Sequence, residues 1–205
     1  MSEAGKKCLF VTYGGGHVAL VCPLAQAMMS KGYTVKILAL TTAQAYLKQR
    51  GVPFVGYSDM PESKAQDVQE YGRALAGEMG QAQKIDLAEA VAYLGLNYKD
   101  LVLGNGREKA EILYRQKGRQ AFCPVRVMKT FLEREMPDIV IATTSPRSEK
   151  AAILAAGQLG VRCVCLVDLF AKQEVQWVGQ PGYANKVCVL NENVRDFLLK
   201  VGRAT

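Results

Sequence analysis

The chain of 205 residues holds a single histidine and a single tryptophan. One imidazole cannot supply a Cys/His zinc site, and no C-x-x-C pair occurs among Cys8, Cys22, Cys123, Cys163, Cys165 and Cys188. No metal site is expected. Cys8, Cys163, Cys165 and Cys188 lie in apolar, strand-like runs, which predicts buried, reduced thiols acting as small hydrophobes. No apolar run approaches the roughly 20 residues of a membrane-spanning helix. The N-terminal apolar run is too short for a signal-peptide core, so the chain reads as cytoplasmic. The charge is +7, yet no block of five lysines and arginines occurs and no aromatics interleave with basic residues. Nucleic acid is therefore not an expected partner. A basic balance instead suits phosphates, including sugar diphosphates and anionic lipid head groups.

What is present is a soluble-type composition, 49% apolar and 22% charged. A chain of this length buries roughly 70% of its unfolded surface, enough for one domain with its own core. Strands and helices alternate at the start. "KKCLFVTY", "YTVKILAL" and "VPFVGYS" read as buried strands, and "PLAQAMMSKG" and "TTAQAYLKQRG" as helices. Leu24, Ala25 and Met28 would share one helical face, with Gly32 closing the first helix. The second helix would carry a threonine cap and a terminal glycine.

From about 59 to 136 no strand pattern appears. Leu87, Val91, Leu94, Tyr98 and Leu101 make one helical stripe; Phe122, Val125, Met128 and Leu132 make another; "LGNGREK" breaks between them. Such a length exceeds a simple crossover and predicts a helical insertion. Alternation then resumes with "PDIVIATTS", "PRSEKAAILAAGQLG", "VRCVCLVD", "KVCVLN" and "ENVRDFLLKVG". The expected class is α/β, a Rossmann-like doubly wound, mainly parallel sheet of about six strands with a helical insertion.

Ligands of open parallel sheets bind at the carboxyl ends of the strands, where three stretches fall. The first is Gly14-Gly15-Gly16-His17. Glycines permit unusual dihedrals and close approach of backbone to a phosphate or sugar. The stretch is neither G-x-G-x-x-G nor a P-loop, and no acidic residue follows the second strand, which excludes a nicotinamide site and a nucleoside triphosphatase; no cofactor is expected. His17 either takes a proton from a hydroxyl or merely caps a helix. The second stretch is "TTSPRSEK". Ser145 before Pro146 reads as a helix cap, and Glu149 complements the helix dipole. Arg147 opposes that dipole, a cost that an anionic ligand would offset; otherwise it is a solvated arginine. The third is Asp168, which would orient an imidazole, bind a sugar hydroxyl or only close a strand.

The first strand, glycine turn, Gly16-His17 pair and Pro-Leu-Ala helix resemble the opening of GT-B glycosyltransferases. The layout is similar to the N-terminal half of lipid-linked N-acetylglucosaminyltransferases and UDP-sugar glycosyltransferases. UDP-N-acetylglucosamine 2-epimerases and sugar-nucleotide hydrolases share the architecture. The resemblance implies polysaccharide or cell-envelope biosynthesis. It also implies His17 as the base that deprotonates an acceptor hydroxyl, with the turn Gly14, Gly15 and Gly16 bordering the acceptor cleft; Ser145, Arg147 and Asp168 join them as substrate-binding candidates from their places at the strand ends. Its implied partners are a nucleotide-sugar donor, a hydroxyl acceptor and a C-terminal donor-binding domain or partner chain not present in residues 1–205. The basic balance adds a non-catalytic alternative, a sugar- or lipid-binding subunit of a two-chain enzyme that docks on an anionic membrane surface at the inner face. Family members place proline three residues after the histidine. Here Pro23 is six after His17, so the helix is expected to begin at Pro23, with Gly14 to Val21 as loop.

Overall fold

A computed structural model describes residues 5–77 and 85–201. Strands β1 (Lys7–Thr12), β2 (Thr34–Ala39), β3 (Ile139–Ala142), β4 (Arg162–Leu166) and β5 (Lys186–Cys188) form one parallel sheet in the order β2-β1-β3-β4-β5. The continuous apolar runs arise because both faces of the sheet are covered. Along β1, Cys8 and Phe10 face helices α1 (Gly16–Ser30) and α2 (Ala43–Gln49), packing with Val18, Val21, Cys22, Ala25 and Leu47. Leu9 and Val11 face the other way, in a core with Leu94, Phe131, Ala152 and Ala155.

The sheet has five strands where about six were expected. "VPFVGYS" contributes one bridge, Leu38 to Val55, with Ala39 N–H donating to the Val55 carbonyl at 2.9 Å and Val55 N–H to that of Ile37 at 2.8 Å. Pro53 has no N–H to donate, and the chain turns into a 3₁₀ turn at Tyr57–Asp59, so pairing cannot extend either way. At the opposite edge Cys188 is exposed on short β5 and Cys123 is half-buried, which corrects the expectation of uniformly buried thiols.

The start of α1 also differs. The helix runs through Pro23 from Gly16, rather than starting at Pro23. Pro23 removes one backbone bond, to the Ala19 carbonyl, but Ala19, Leu20 and Pro23 all lie on the exposed face. Water can serve that carbonyl, while the buried face of Val18, Val21, Cys22 and Ala25 holds the helix to the sheet. Leu24 consequently points outward. Thr42 occupies the N-cap of α2, but its hydroxyl makes no capping bond.

Between Val55 and Ile139 the described residues form helices α3 (Gln66–Ala76), α4 (Leu87–Asn105), α5 (Arg107–Lys117) and α6 (Val125–Glu135), with 3₁₀ turns at Tyr57–Asp59 and Pro61–Lys64 before α3 and at Gly118–Ala121 between α5 and α6. Asp86 caps α4, accepting from Ala88 and Glu89 N–H at 2.9 and 3.3 Å. Gly106, at φ +78°, breaks α4 from α5. Val91, Leu94 and Leu101 are buried as the stripe predicts, whereas Leu87 is exposed. After β3 come α7 (Ser148–Leu159), α8 (Val175–Val178) and α9 (Glu192–Lys200). No helix among the described residues is long and apolar enough to cross a membrane.

Candidate active site

The strand order places a switch point between β1 and β3, since the chain leaves β1 toward β2 on one side and returns as β3 on the other. A crevice opens at the carboxyl ends of such a strand pair. The residues following β1 and β3 meet there. Two glycines shape the β1 side. A β-carbon on Gly14 would stand 1.8 Å from Thr42 Oγ1, so only glycine lets the turn pass α2. Gly15, at φ +69° and ψ −135°, caps α1 in a conformation that other residues strongly disfavour. Gly16 and His17 follow in the first turn of α1.

His17 Nδ1 lies 2.6 Å from Thr143 Oγ1 and 3.1 Å from Asp168 Oδ2. Its side chain is 26% exposed, whereas that of Asp168 is 10% exposed. Asp168 Oδ1 accepts the Thr144 hydroxyl at 2.8 Å, which fixes the carboxylate beside the ring. Behind Thr143 sits Glu149, fully buried. Glu149 Oε2 accepts the Thr143 hydroxyl at 2.5 Å and Ser145 N–H at 2.8 Å; Oε1 accepts Tyr13 N–H at 2.6 Å. Burial pushes the Glu149 carboxyl above its ordinary range, opposed by His17 at 3.9 Å and by these donors.

The structure thus joins His17, at a helix start, and Asp168, on a strand-end turn, into one cluster. Ser145 is not the cap of α7: the helix begins at Ser148, with Arg147 at the N-cap. Ser145 takes part through its backbone instead, because Glu149 reaches back to its N–H. Arg147 is half-buried and turned inward. Its guanidinium carbon lies 4.9 Å from the Tyr13 ring centroid, and Nε donates to Tyr13 OH at 3.2 Å. Tyr13 OH pairs with Tyr93 OH at 2.8 Å, and Tyr57 OH with Ser148 Oγ at 2.8 Å. Burial holds the Tyr57 and Tyr93 phenols well above the ordinary tyrosine range, so both stay neutral. Thr143, Glu149 and this tyrosine cluster were not among the sequence candidates. The available signal was position: Thr143 ends the strand beside β1, at the switch point.

No protein-family model matches the chain, and no curated protein matches it in sequence. Solved structures do resemble it. UDP-GlcNAc 2-epimerase from Methanocaldococcus jannaschii superposes at TM-score 0.55 and 10% identity, over 96% of this chain and 42% of that one. The chain has the Rossmann-like fold of a GT-B half. S. aureus MnaA, solved with UDP, gives TM-score 0.54 and 15% identity, over 96% of this chain and 41% of its own. MurG of Acinetobacter baumannii gives 0.47 and 16%, over 90% and 41%. The chain spans about two fifths of the length of the first two of these structures.

Proposed function

We propose that the chain is the acceptor-side half of a glycosyltransferase that moves a sugar from a nucleotide-sugar donor to a hydroxyl acceptor. The observation that carries this reading is the imidazole of His17 held against Asp168 at 3.1 Å, at the switch point of a parallel sheet. The acceptor oxygen would bond to the anomeric carbon as the bond from that carbon to the nucleoside diphosphate breaks. The acceptor proton passes to His17, and Asp168 stabilises the imidazolium that results. The diphosphate departs with the bonding pair. Gly14 to Gly16 leave room beside the ring, since a β-carbon on Gly16 would meet only Asp168, at 3.9 Å.

The donor would be held by a second half, in the same protein or in a partner chain. Two facts support that: the match to about two fifths of larger enzymes, and exposed Leu169 and Phe170 directly after Asp168. Replacing His17 with Ala in the complete enzyme should lower kcat by about 10²–10⁴-fold and leave donor affinity nearly intact. Unchanged turnover would remove His17 from the chemistry.

A second reading, epimerisation or hydrolysis of a UDP-sugar, draws support from matches above TM-score 0.5 that include a UDP-GlcNAc 2-epimerase and MnaA bound to UDP. Incubating the complete enzyme with UDP-sugar alone separates the two. Product formed without an acceptor favours the second.

A further inference from the structure

The single histidine leaves one question that decides whether it can act as a base: which ring nitrogen carries the hydrogen. Thr143 Oγ1 lies 2.6 Å from Nδ1, close enough to require a hydrogen between them. The threonine hydroxyl has only one hydrogen to give. Glu149 Oε2, 2.5 Å away on the other side, takes it. Glu149 is in no position to return one, because both of its oxygens already face donors: Tyr13 N–H on Oε1, and Ser145 N–H with the Thr143 hydroxyl on Oε2. A carboxylate in that setting accepts only. Thr143 Oγ1 therefore turns a lone pair toward Nδ1, and the hydrogen between them belongs to the imidazole. Asp168 Oδ2, 3.1 Å from the same nitrogen, also calls for a donor there.

We propose that Glu149, acting through Thr143, is a positioning residue that keeps the hydrogen of the neutral His17 ring on Nδ1 and leaves Nε2 with its lone pair. The tautomer is set by a carboxylate that never touches the ring directly and is shut off from solvent. Glu149 belongs to α7, Thr143 follows β3, Tyr13 follows β1 and His17 lies in α1. One buried charge thus ties the ring's orientation to all four segments around the switch point. Asp168, which reaches the ring from the end of β4, is the other acidic group facing it. Without Glu149, the Thr143 hydroxyl is free to rotate and donate to Nδ1, which would move the ring hydrogen to Nε2 and remove the base. The consequence for catalysis rests on the reading of His17 as a base; the position of the hydrogen does not.

Because the chain holds one histidine, a nitrogen-15 spectrum of histidine-labelled protein contains one imidazole. In the spectrum of the neutral ring, the wild-type chain should show a protonated Nδ1 and a bare Nε2. This measurement needs no variant, and a wild-type ring protonated on Nε2 would overturn the proposal. Thr143→Val removes the hydroxyl at nearly constant volume and should convert the single tautomer into a mixture. Thr143→Ser should restore it. Glu149→Gln should also give a mixture, since an amide must point hydrogens at one of the three donors. If both Thr143→Val and Glu149→Gln keep the wild-type spectrum while Asp168→Asn loses it, Asp168 alone sets the tautomer and the proposal fails. In the complete enzyme Thr143→Val should lower kcat at least tenfold with little change in KM, and Thr143→Ser should recover it. A complete enzyme that transfers no sugar while the isolated chain shows these spectra would defeat the functional reading and leave the relay standing.

Discussion

A β-carbon built on Gly95 of α4 would stand 2.0 Å from the backbone carbonyl oxygen of Val68 in α3. The contact is reciprocated, because a β-carbon on Gly72 of α3 would stand 2.1 Å from the Val91 carbonyl oxygen of α4. The two helices thus approach through paired glycines, backbone against backbone. Gly95→Ala must push them apart. Overpacking of a filled core typically costs about 1–3 kcal/mol, and here the obstacle is backbone rather than a side chain that can turn away. A urea titration followed by the fluorescence of Trp177 should show a loss of at least this size. No loss would mean that the helices are not held at this distance.

The helix pair bears on the site because α4 carries Tyr93 to the end of β1. Tyr93→Phe removes the partner of Tyr13 OH at 2.8 Å, while Arg147 Nε at 3.2 Å remains. With Arg147 Nε kept, and Ser148 Oγ at 3.5 Å, the cost should be about 1 kcal/mol, the usual net worth of a hydrogen bond. Denaturant midpoints of the two proteins check this. A loss several times larger would show that Tyr93 also fixes Arg147, whose guanidinium rests on the same tyrosine.

Asp100, buried on α4, gives a pH signature. Burial raises its carboxyl above the ordinary aspartate range, against the pull of Arg126, 3.9 Å away, and of the N–H groups opening α6. A raised folded pKa means that the native state holds the proton more tightly than the unfolded chain does. The contribution is complete below the unfolded value, about 4, and is lost as pH rises through the raised one. Asp100→Asn has no proton to lose. Its stability relative to wild type should therefore improve as pH rises from about 4 to neutrality, with Glu149 cancelling because both proteins contain it. Urea unfolding at the two pH values measures the difference, and a relative stability that falls with pH would contradict it.

The parts of the fold that were legible in sequence are those whose cause is local. "KKCLFVTY" and "YTVKILAL" read as strands because parallel strands covered on both faces are apolar throughout. Asp168 was legible as the end of such a strand, and His17 as the residue after a glycine turn. "VPFVGYS" misled because its apolar pattern is a strand's, and only the sheet edge shows that Pro53 leaves one residue able to pair. Glu149 read as a dipole partner for its own helix, since its true partners include Tyr13, 136 positions away. No periodicity encodes that distance. Arg147 read as either facing an anionic ligand or solvated, because the sequence could not show that α4 delivers Tyr93, and with it a tyrosine cluster, to its side.

Pro23 offers the sharpest separation of stability from function. It lies inside α1, where proline forfeits the bond to the Ala19 carbonyl and crowds that carbonyl with its ring, at a cost of about 3 kcal/mol in an ordinary helix. Two effects reduce what replacing it would recover. The Ala19 carbonyl is on the exposed face, where water can serve it, and alanine gives the unfolded chain back roughly 0.4–1 kcal/mol of entropy. Pro23→Ala should therefore stabilise the chain by about 1–2 kcal/mol, measured as a rise in the urea midpoint. The first turn of the same helix carries His17 on the far side of the proline. Any change in the course of α1 shifts the ring relative to Thr143 and Asp168, which are held by the sheet, and contacts of 2.6 and 3.1 Å leave little room for movement. The more stable variant should then show a disturbed imidazole spectrum and, in the complete enzyme, a lower kcat. A stabilised variant with an unchanged ring would mean that the proline is neutral to the site. A destabilised one would mean that the packing of Val18, Val21, Cys22 and Ala25 on the sheet depends on the proline.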